Sequence, residues 1–280
     1  RFGRKPTSKV LNKLLDKWKN STILIDAWEK FNDDCPQFIQ STIGKYCQYQ
    51  IKNCSWQGEH GWQKQLLAWE KEVYDILMQE SVYSEGTIAK CCVESIDDGG
   101  ELFIGNSMPI RDVDMFTLTS SKKIDTYSNR GASGIDGVIS SALGMSHNSV
   151  NKNSLLLIGD VSFYHDMNGL LASRYEANLT IVVINNSGGG IFSFLPIAES
   201  NVENFQQYWT TDTGLSIEKV AGLYNSKYYL AENLQDLEKS ILGSFKQKGV
   251  QIIEVKTTIR DNIIAHNRLR DKIKAALSDD

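Results

Sequence analysis

The sequence predicts an α/β protein whose parallel sheet is covered by helices on both faces. Two short runs of apolar and β-branched residues, 154–158 and 180–184, are typical of buried parallel strands. Between them, residues 163–175 carry apolar side chains at helical spacing. A strand, a helix and a strand in this order form a β-α-β unit, and the same alternation continues along the chain. It indicates a doubly covered parallel sheet.

The remaining elements of this pattern follow from the same spacing rules. We expect further helices at 86–96, 135–143, 217–223, 234–245 and 262–277, and further strands at 102–104, 124–127, near Tyr228 and at 250–255. Before about residue 75 the pattern differs, with one helix at 9–18, one strand at 22–26 and then a region rich in Trp and Gln. This first part has too few strands to close a sheet of its own. We therefore expect two parts, 1–75 and 76–280.

Composition excludes several classes of protein. The 280 residues are 41% hydrophobic and 23% charged, with a formal net charge of −4, so bulk charge gives no support to nucleic-acid binding. No apolar run approaches the roughly 20 residues that span a membrane. The five cysteines are odd in number and none forms a C-x-x-C pair, which disfavours a zinc site and favours buried thiols in a reducing compartment.

Two polar residues follow the two central strands. Asp160 follows the first strand after a single glycine, Gly159, and Asn186 follows the second strand, 26 residues later. A helix of about 14 residues descends roughly 21 Å, and a strand of about six residues returns roughly 20 Å. Asp160 and Asn186 should therefore meet at the carboxyl edge of the sheet, where α/β proteins bind ligands. Their oxygens suit a divalent cation that also carries phosphate.

Glycine-bearing turns follow several of the predicted strands, at 104–111, 128–137, 159–162 and 185–190. Glycine permits positive φ and close approach of the main chain to a ligand. The helices predicted to begin near Ile135 and Ser162 would aim N–H groups at an anion. Arg111 and Arg130 can each hold a carboxylate or phosphate with two hydrogen bonds. Together these turns predict a pocket for a phosphorylated cofactor and an acidic small molecule.

Arg111 also has a simpler interpretation. It could form a surface ion pair with Asp112 or Asp114, which lie in the same predicted turn region. An exposed ion pair of this kind contributes little to stability and implies no ligand. The sequence pattern alone leaves both interpretations of Arg111 open.

The Gly-Asp…Asn-Asn pattern resembles the diphosphate-binding signature of thiamine-diphosphate enzymes, although Val161 stands where that signature usually has a second glycine. Three longer blocks, 102–112, 128–137 and 189–196, look like one branch of that family. The branch is the 2-succinyl-5-enolpyruvyl-6-hydroxy-3-cyclohexene-1-carboxylate synthases (the MenD family) of menaquinone and phylloquinone biosynthesis. The resemblance extends from about residue 1 to 270.

The resemblance implies a role for each matching residue. A Mg²⁺ (or Mn²⁺) ion would be bound by the side chains of Asp160 and Asn186 and the carbonyl of Gly188. Thiamine diphosphate would be contacted by Gly105, Asn106, Ile135, Gly159, Asp160, Val161, Ser162, Asn186, Gly188 and Ile191. Ile191, Phe192 and Leu195 match an apolar wall at the reaction centre. Ser107, Arg111 and Arg130, together with Lys9, match the groups that hold substrate carboxylates.

The resemblance further implies a reaction and its partners. The reaction would decarboxylate 2-oxoglutarate and add the remaining succinyl unit to isochorismate. The family forms homo-oligomers, dimers or tetramers, with active sites between subunits. Nucleic acid and a membrane span are not expected, and the compartment would be the cytoplasm or a plastid stroma. Two alternatives stay open: another thiamine-diphosphate decarboxylase or acetolactate-type synthase, and a non-catalytic half-domain that serves as a scaffold.

One group that the family requires has no match in the sequence. A glutamate that activates the aminopyrimidine ring lies in a separate pyrimidine-binding domain of these enzymes. Glu85, Glu94 and Glu101 lie in the wrong domain for that role. We therefore expect the chain to be the later part of a longer or split polypeptide, beginning inside the central domain.

Overall fold

The computed structural model describes residues 1–3, 5, 8–28, 34–55, 58, 60–147, 149, 152–200 and 203–278, with the side chains of Lys9 and His60 excepted. Two compact units divide the chain, Arg1–Leu67 and Ala68–Asp280. Among the described residues, every helix is too short or too polar to cross a membrane.

The described part of the first unit contains helices and a two-stranded parallel sheet. Helix α1 (Lys9–Lys17) and strand β1 (Ile23–Asp26) were predicted, whereas strand β2 (Gln37–Gln40) and helix α2 (Ile43–Asn53) were not. Strand β2 has a glutamine at each end, and its polar and apolar residues do not alternate. A segment of this kind gives little sequence signal for a strand. Helix α3 (His60–Met78) begins in this unit and ends in the second.

The second unit contains a six-stranded sheet in the order β4-β3-β5-β6-β8-β7, with every pair of neighbours parallel. This arrangement confirms the predicted α/β fold. In chain order its elements are α4 (Glu85–Ser95), β3 (Glu101–Ile104), α5 (Met108–Phe116), β4 (Asp125–Tyr127), α6 (Val138–His147), β5 (Ser154–Gly159), α7 (Asp160–Asp166), β6 (Leu179–Asn185), α8 (Ile217–Leu223), β7 (Lys227–Ala231), α9 (Leu234–Ser244), β8 (Val250–Lys256) and α10 (Ile259–Ala276).

Two predicted helices differ from the structure in ways that affect the site. Helix α6 begins at Val138 and not near Ile135, because Gly137 has a φ of +67°, which no right-handed helix contains. The helix predicted at 163–175 begins earlier, at Asp160, and changes after Asp166 into a tighter 3-10 helix. Residues 135–137 therefore belong to a loop.

Alternate residues of the central strands build two hydrophobic cores. On one face, Leu156 and Ile158 pack with side chains of α6, α7 and α8, and on the other face Leu155 and Leu157 pack with α4 and α9. All four leucine and isoleucine side chains are fully buried. Burial on both faces explains why the strand reads as a continuous apolar run.

The strand order creates a crevice at the carboxyl edge. From β3 the chain crosses to β4 on one side, while β5 pairs with β3 on the other side. The connections that leave β3 and β5 therefore diverge, and such a point is where open parallel sheets bind ligands.

Candidate functional site

A cavity of about 370 Å³ lies at this crevice, a volume typical of small-molecule sites. The loops after β3, β4, β5 and β6 and the start of α4 surround it. The predicted site residues that line it are Asn106, Ser107, Arg111, Arg130, Ile135, Gly159, Asp160, Val161, Ser162, Asn186, Gly188, Ile191 and Phe192. The topology thus brings together residues that are far apart in the sequence.

Two predicted site residues, Gly105 and Leu195, are not among the lining residues, and a third, Lys9, belongs to the first unit. Gly105 packs against β5, where its N–H donates to the Leu157 carbonyl at 2.8 Å, and an added Cβ would lie 3.0 Å from that oxygen. Leu195 follows the 3-10 helix Gly190–Phe194 and is not among the lining residues. Lys9 begins α1 in the first unit, and its side chain lies outside the described residues.

Asp160 and the loop after β6 meet as their spacing predicts. Gly159 pairs with Ile184 in the sheet, so the chain leaves both strands at the same level. One carboxylate oxygen of Asp160 accepts from the Val161 N–H and the other from the Gly188 N–H, each at 2.8 Å. Burial raises the pKa of Asp160 to about 6, against the lowering effect of these hydrogen bonds. A cation beside the carboxylate would favour its charged form.

Gly188 holds a conformation that only glycine adopts readily. Its φ is +143°, and a Cβ there would overlap the carbonyl oxygen of Thr210. The neighbouring Gly189 N–H donates to the same oxygen at 2.5 Å. Ser187, the residue before Gly188, has a positive φ of 63° as well, which is a strained conformation for a residue with a side chain.

Within the described ranges, the amide oxygen of Asn186 lacks a hydrogen-bond partner. Its Nδ2 donates to Glu85 Oε1 at 2.7 Å, while its Oδ1 is buried and has no hydrogen-bond partner among the described residues. An unpaired buried acceptor costs about 1–3 kcal/mol. A bound cation would satisfy it, so the residues present fit the metal that the resemblance implies.

The donors available here select the kind of metal. In the described ranges no three His, Cys, Asp or Glu side chains come together as a metal centre. The resemblance implies instead a set of oxygen ligands from Asp160, Asn186 and the main chain of Gly188, and all three residues line the cavity. Oxygen ligands of this type, completed by water and phosphate, suit Mg²⁺.

Asn106 joins two loops and places Arg130. The side chain is buried, and its Nδ2 donates to the carbonyls of Asn129 at 3.1 Å and Gly134 at 2.5 Å. Its Oδ1 accepts from Arg130 Nη1 at 2.8 Å. Asn106 lies in the loop after β3, and its three hydrogen bonds fix the loop after β4.

Two arginines face the same cavity. Arg111 Nη1 donates to the Ser107 carbonyl at 2.5 Å, and Ser107 has a φ of +73°, a strained conformation for a residue with a side chain. Burial lowers the pKa of Arg111, and the charge of Arg130 lowers it further. Since an anion between two guanidinium groups relieves their repulsion, this side of the cavity favours a carboxylate or phosphate.

Asp112 does not serve as a surface partner of Arg111. It is fully buried, and its Oδ1 lies 2.8 Å from Nε2 of His266. Burial lowers the pKa of His266, but the hydrogen bond and charge of Asp112 outweigh it, so the pKa of the imidazole is raised. The ring of Phe194, from the loop after β6, packs edge-on against this histidine at 5.2 Å.

Glu85 is a cavity residue that the sequence pattern did not reveal. It occupies the first turn of α4 and is only 1% exposed. Burial, reinforced by the charge of Asp112, raises the pKa of Glu85 to about 7. An acidic residue in a first helical turn is usually an exposed partner of the helix dipole, so the sequence gives no signal for this burial.

Apolar side chains form the remaining wall. Ile135, Ile191 and Phe192 line the cavity, and the Ser162 hydroxyl donates to the Ile135 carbonyl at 3.0 Å, which holds the loop before α6. Phe192 packs edge-on against Trp209 at 5.5 Å. The cavity is therefore lined by Asp160, Asn186 and Gly188 (its metal-suited side), by Arg111 and Arg130 (its arginine side) and by these apolar side chains.

Comparison with known proteins identifies the family. Residues 113–255, about half of the chain, match the family model "Thiamine pyrophosphate enzyme, C-terminal TPP binding domain". Among solved structures, a thiamine diphosphate-dependent 4-hydroxybenzoylformate decarboxylase from Rhodococcus jostii superposes with a TM-score of 0.63 at 14% identity, over 84% of this chain and 44% of that one. This likeness shows the fold alone.

Curated relatives extend the match over nearly the whole chain. The chain is 34% identical over 287 residues to a 2-succinyl-5-enolpyruvyl-6-hydroxy-3-cyclohexene-1-carboxylate synthase from Bacillus cytotoxicus, and 39% identical over 293 residues to one from Listeria monocytogenes. These alignments cover 100% and 99% of this chain but 49% of each relative, so the chain spans about half the length of these relatives. The resemblance read from the motifs is confirmed, and the chain belongs to the thiamine pyrophosphate enzymes through their C-terminal TPP binding domain.

Proposed function

We propose that this chain holds the diphosphate and metal of thiamine diphosphate in a 2-succinyl-5-enolpyruvyl-6-hydroxy-3-cyclohexene-1-carboxylate synthase. The observation that carries the proposal is the set formed by Asp160, the unpaired oxygen of Asn186 and the glycine-only turn at Gly188. In this assignment residues 1–75 belong to a central domain and 76–280 to the pyrophosphate domain.

The metal-suited side would bind Mg²⁺ or Mn²⁺ through Asp160, Asn186 and the Gly188 carbonyl. A divalent cation there would neutralise Asp160 and attract diphosphate oxygens. When bound, thiamine diphosphate supplies the carbanion chemistry that decarboxylates a 2-oxo acid and transfers its acyl unit. Gly159, Val161 and Ser162 line the cavity next to Asp160 and would contact the diphosphate.

The arginine side would select the substrates. Arg111 and Arg130 face one cavity and are held by the Ser107 carbonyl and the Asn106 amide oxygen, so their guanidinium groups are preorganised. Both 2-oxoglutarate and isochorismate carry two carboxylates, whereas pyruvate has no second one. This pairing favours a synthase for dicarboxylates over an acetolactate-type enzyme.

The apolar wall would exclude water from the reaction centre. Ile135, Ile191 and Phe192 lower the local dielectric, so the charges of the arginines and the metal act more strongly on a bound substrate. The intact oxygen ligands argue against a non-catalytic scaffold, because a scaffold has no use for a buried unpaired oxygen.

Isothermal calorimetry with thiamine diphosphate and Mg²⁺ tests the cofactor assignment. We expect saturable, Mg²⁺-dependent binding that Asp160→Ala abolishes. Asp125→Ala is the matched control, because Asp125 is an exposed aspartate at the start of β4, at the other end of the sheet. Equal binding by the wild type and Asp160→Ala would remove the cofactor from this site.

A second titration tests the substrate class. With thiamine diphosphate and Mg²⁺ present, 2-oxoglutarate should bind more tightly than pyruvate, and Arg111→Met should reduce that preference while leaving binding of the cofactor unchanged. Equal affinity for both acids would favour the alternative decarboxylase. We further propose a homo-oligomeric enzyme of quinone biosynthesis in the cytoplasm or a plastid stroma, for which sedimentation of the loaded protein gives the subunit number.

A further inference from the structure

We infer that Glu85 is a positioning residue that turns the Asn186 amide so that its oxygen faces the metal. The inference rests on the proposed function, since it concerns the ion that Asp160 and Asn186 would share. It assigns a role to a buried glutamate of the chain itself, separate from the glutamate that activates the cofactor ring in this family.

The contact between the two side chains is short and enclosed. Asn186 Nδ2 lies 2.7 Å from Glu85 Oε1, and the two residues are 9% and 1% exposed. Gly190 leaves the room for this contact, because a Cβ there would lie 2.8 Å from the same Nδ2. The nitrogen end of the amide is therefore held between Glu85 and the main chain at Gly190.

The accepting oxygen of Glu85 permits one orientation of the amide. Glu85 Oε1 accepts from two donors, Asn186 Nδ2 and the Thr257 hydroxyl, whereas an amide has a donating nitrogen and an accepting oxygen. The reversed amide would set two oxygens against each other in a buried space. With its nitrogen turned to Glu85, Asn186 directs Oδ1 the other way, and this is the atom that lacks a partner among the described residues.

Glu85 is itself fixed from a third element. Thr257, which follows β8, donates from its hydroxyl to the same Oε1 at 3.3 Å. The Thr257 N–H donates to the Asn185 carbonyl at 3.0 Å, so the residue that holds Glu85 is also bonded to the neighbour of Asn186. Thr257 thus fixes the Glu85 carboxyl group relative to the loop that carries the Asn186 amide.

Direct measurement of Mn²⁺ affinity tests this role without any assay of turnover. Free Mn²⁺ is followed by electron paramagnetic resonance at pH 8, with the 280-residue chain and saturating thiamine diphosphate. We expect Glu85→Ala to raise the Kd for Mn²⁺ about 10- to 100-fold, the usual loss when a partner of a metal ligand is removed. Glu85→Gln, which keeps the shape, should raise it less.

Glu101→Gln is the matched control. Glu101 is also a buried glutamate, 2% exposed, and accepts from the Ser154 hydroxyl at 3.1 Å, but it begins β3 at the opposite edge of the sheet. We expect its Kd for Mn²⁺ to stay within about twofold of the wild type, a limit set by the small effects of remote sites.

The change Asn186→Asp separates orientation from packing. A carboxylate has two equivalent oxygens and needs no orientation, but it repels Glu85. In the Asn186→Asp background, Glu85→Gln should therefore tighten Mn²⁺ binding, although it weakens binding in the wild-type background. A purely structural role for Glu85 predicts the same direction in both backgrounds.

The outcomes separate this inference from the function on which it rests. Opposite effects of Glu85→Gln in the two backgrounds support the positioning role. Suppose that Asp160→Ala abolishes Mn²⁺ binding, but Glu85→Gln either leaves the Kd for Mn²⁺ unchanged or shifts it in the same direction in both backgrounds. The inference then fails, and the proposed function stands. If the wild type binds Mn²⁺ no better than Asp160→Ala, both fail. Should Glu85→Ala not fold, the two Glu85→Gln comparisons still decide.

Discussion

The turn at Gly188 gives the most direct test of how the backbone builds the metal site. The substitution Gly188→Ala places a methyl group against the Thr210 carbonyl oxygen and imposes a side chain on a φ of +143°. The loop must move to relieve both conflicts. Because the Gly188 N–H donates to Asp160 at 2.8 Å, this movement breaks a hydrogen bond to a carboxylate and shifts a carbonyl that we propose as a metal ligand.

The size of the effect follows from these two interactions. A hydrogen bond to a charged group contributes about 1.5–3 kcal/mol. A residue forced into a sparsely populated backbone region costs about 1–3 kcal/mol. If either loss reduces binding by about 2 kcal/mol, the Kd rises roughly 30-fold. We therefore expect Gly188→Ala to weaken Mg²⁺-dependent binding of thiamine diphosphate by at least tenfold.

Calorimetric titration at fixed Mg²⁺ measures this change, with thermal unfolding recorded for each variant. Gly131→Ala is the control, since Gly131 lies in the exposed loop after β4 and a Cβ there would meet nothing within 4 Å. It should alter binding less than twofold and the free energy of unfolding by less than about 0.5 kcal/mol. Binding by Gly188→Ala at the wild-type level would refute the assignment of this turn as a site that only glycine can form.

Three further predictions concern packing and charge near the site. Gly86→Ala should destabilise the protein by about 1–3 kcal/mol in calorimetric unfolding, because a Cβ there would overlap the Phe116 ring. Gly144 is an exposed residue within helix α6, and nothing lies within 4 Å of a Cβ added there. Gly144→Ala should therefore raise the free energy of unfolding by up to about 1 kcal/mol, and a lower free energy of unfolding would contradict this reasoning. Asp112→Asn should lower the pKa of His266 in an NMR titration. The pKa of His266 is raised above its ordinary 6.5, so the stabilisation by this pair should be complete below pH 6.5 and fade as the pH rises through the raised pKa. If His266 has the same pKa in Asp112→Asn as in the wild type, the pairing is refuted.

The strands of the main sheet were predictable because their signal is local. Residues 154–158 and 180–184 are apolar on both faces, and both lie within strands β5 and β6 of the structure. Elements with weaker local signals were missed, including β2 and α5. Helix α5 begins with Met108 and Pro109 directly after a glycine-bearing turn, so its first turn reads as the continuation of a loop.

The metal-suited pair was predictable for a different reason. Asp160 and Asn186 follow adjacent parallel strands, and topology alone brings the ends of such strands together. Glu85 contacts Asn186 across 101 residues and from a helix, not from a strand end. The direction of its side chain depends on how α4 packs on the sheet. That packing is a tertiary property, and no spacing rule along the chain contains it.

The two buried asparagines of the cavity, Asn106 and Asn186, differ in whether their amide oxygen is available to a metal ion. Both follow a strand, and sequence reasoning assigned both to the cofactor. Asn106 uses its amide nitrogen on two carbonyls and its oxygen on Arg130, so its oxygen and nitrogen are both engaged within the protein. Asn186 gives its nitrogen to Glu85, and its oxygen has no partner in the part of the chain that the structure describes.

The charge of the partner decides this difference. Arg130 can only donate, so it takes the oxygen of Asn106, whereas Glu85 Oε1 accepts, so it takes the nitrogen of Asn186. An amide beside an anion therefore presents its oxygen to the cavity, and an amide beside a cation does not. By this rule Asn106 supports Arg130, and Asn186 is the asparagine that can bind a cation. Replacing Glu85 should then impair metal binding even though Asp160, Asn186 and Gly188 all remain in the chain.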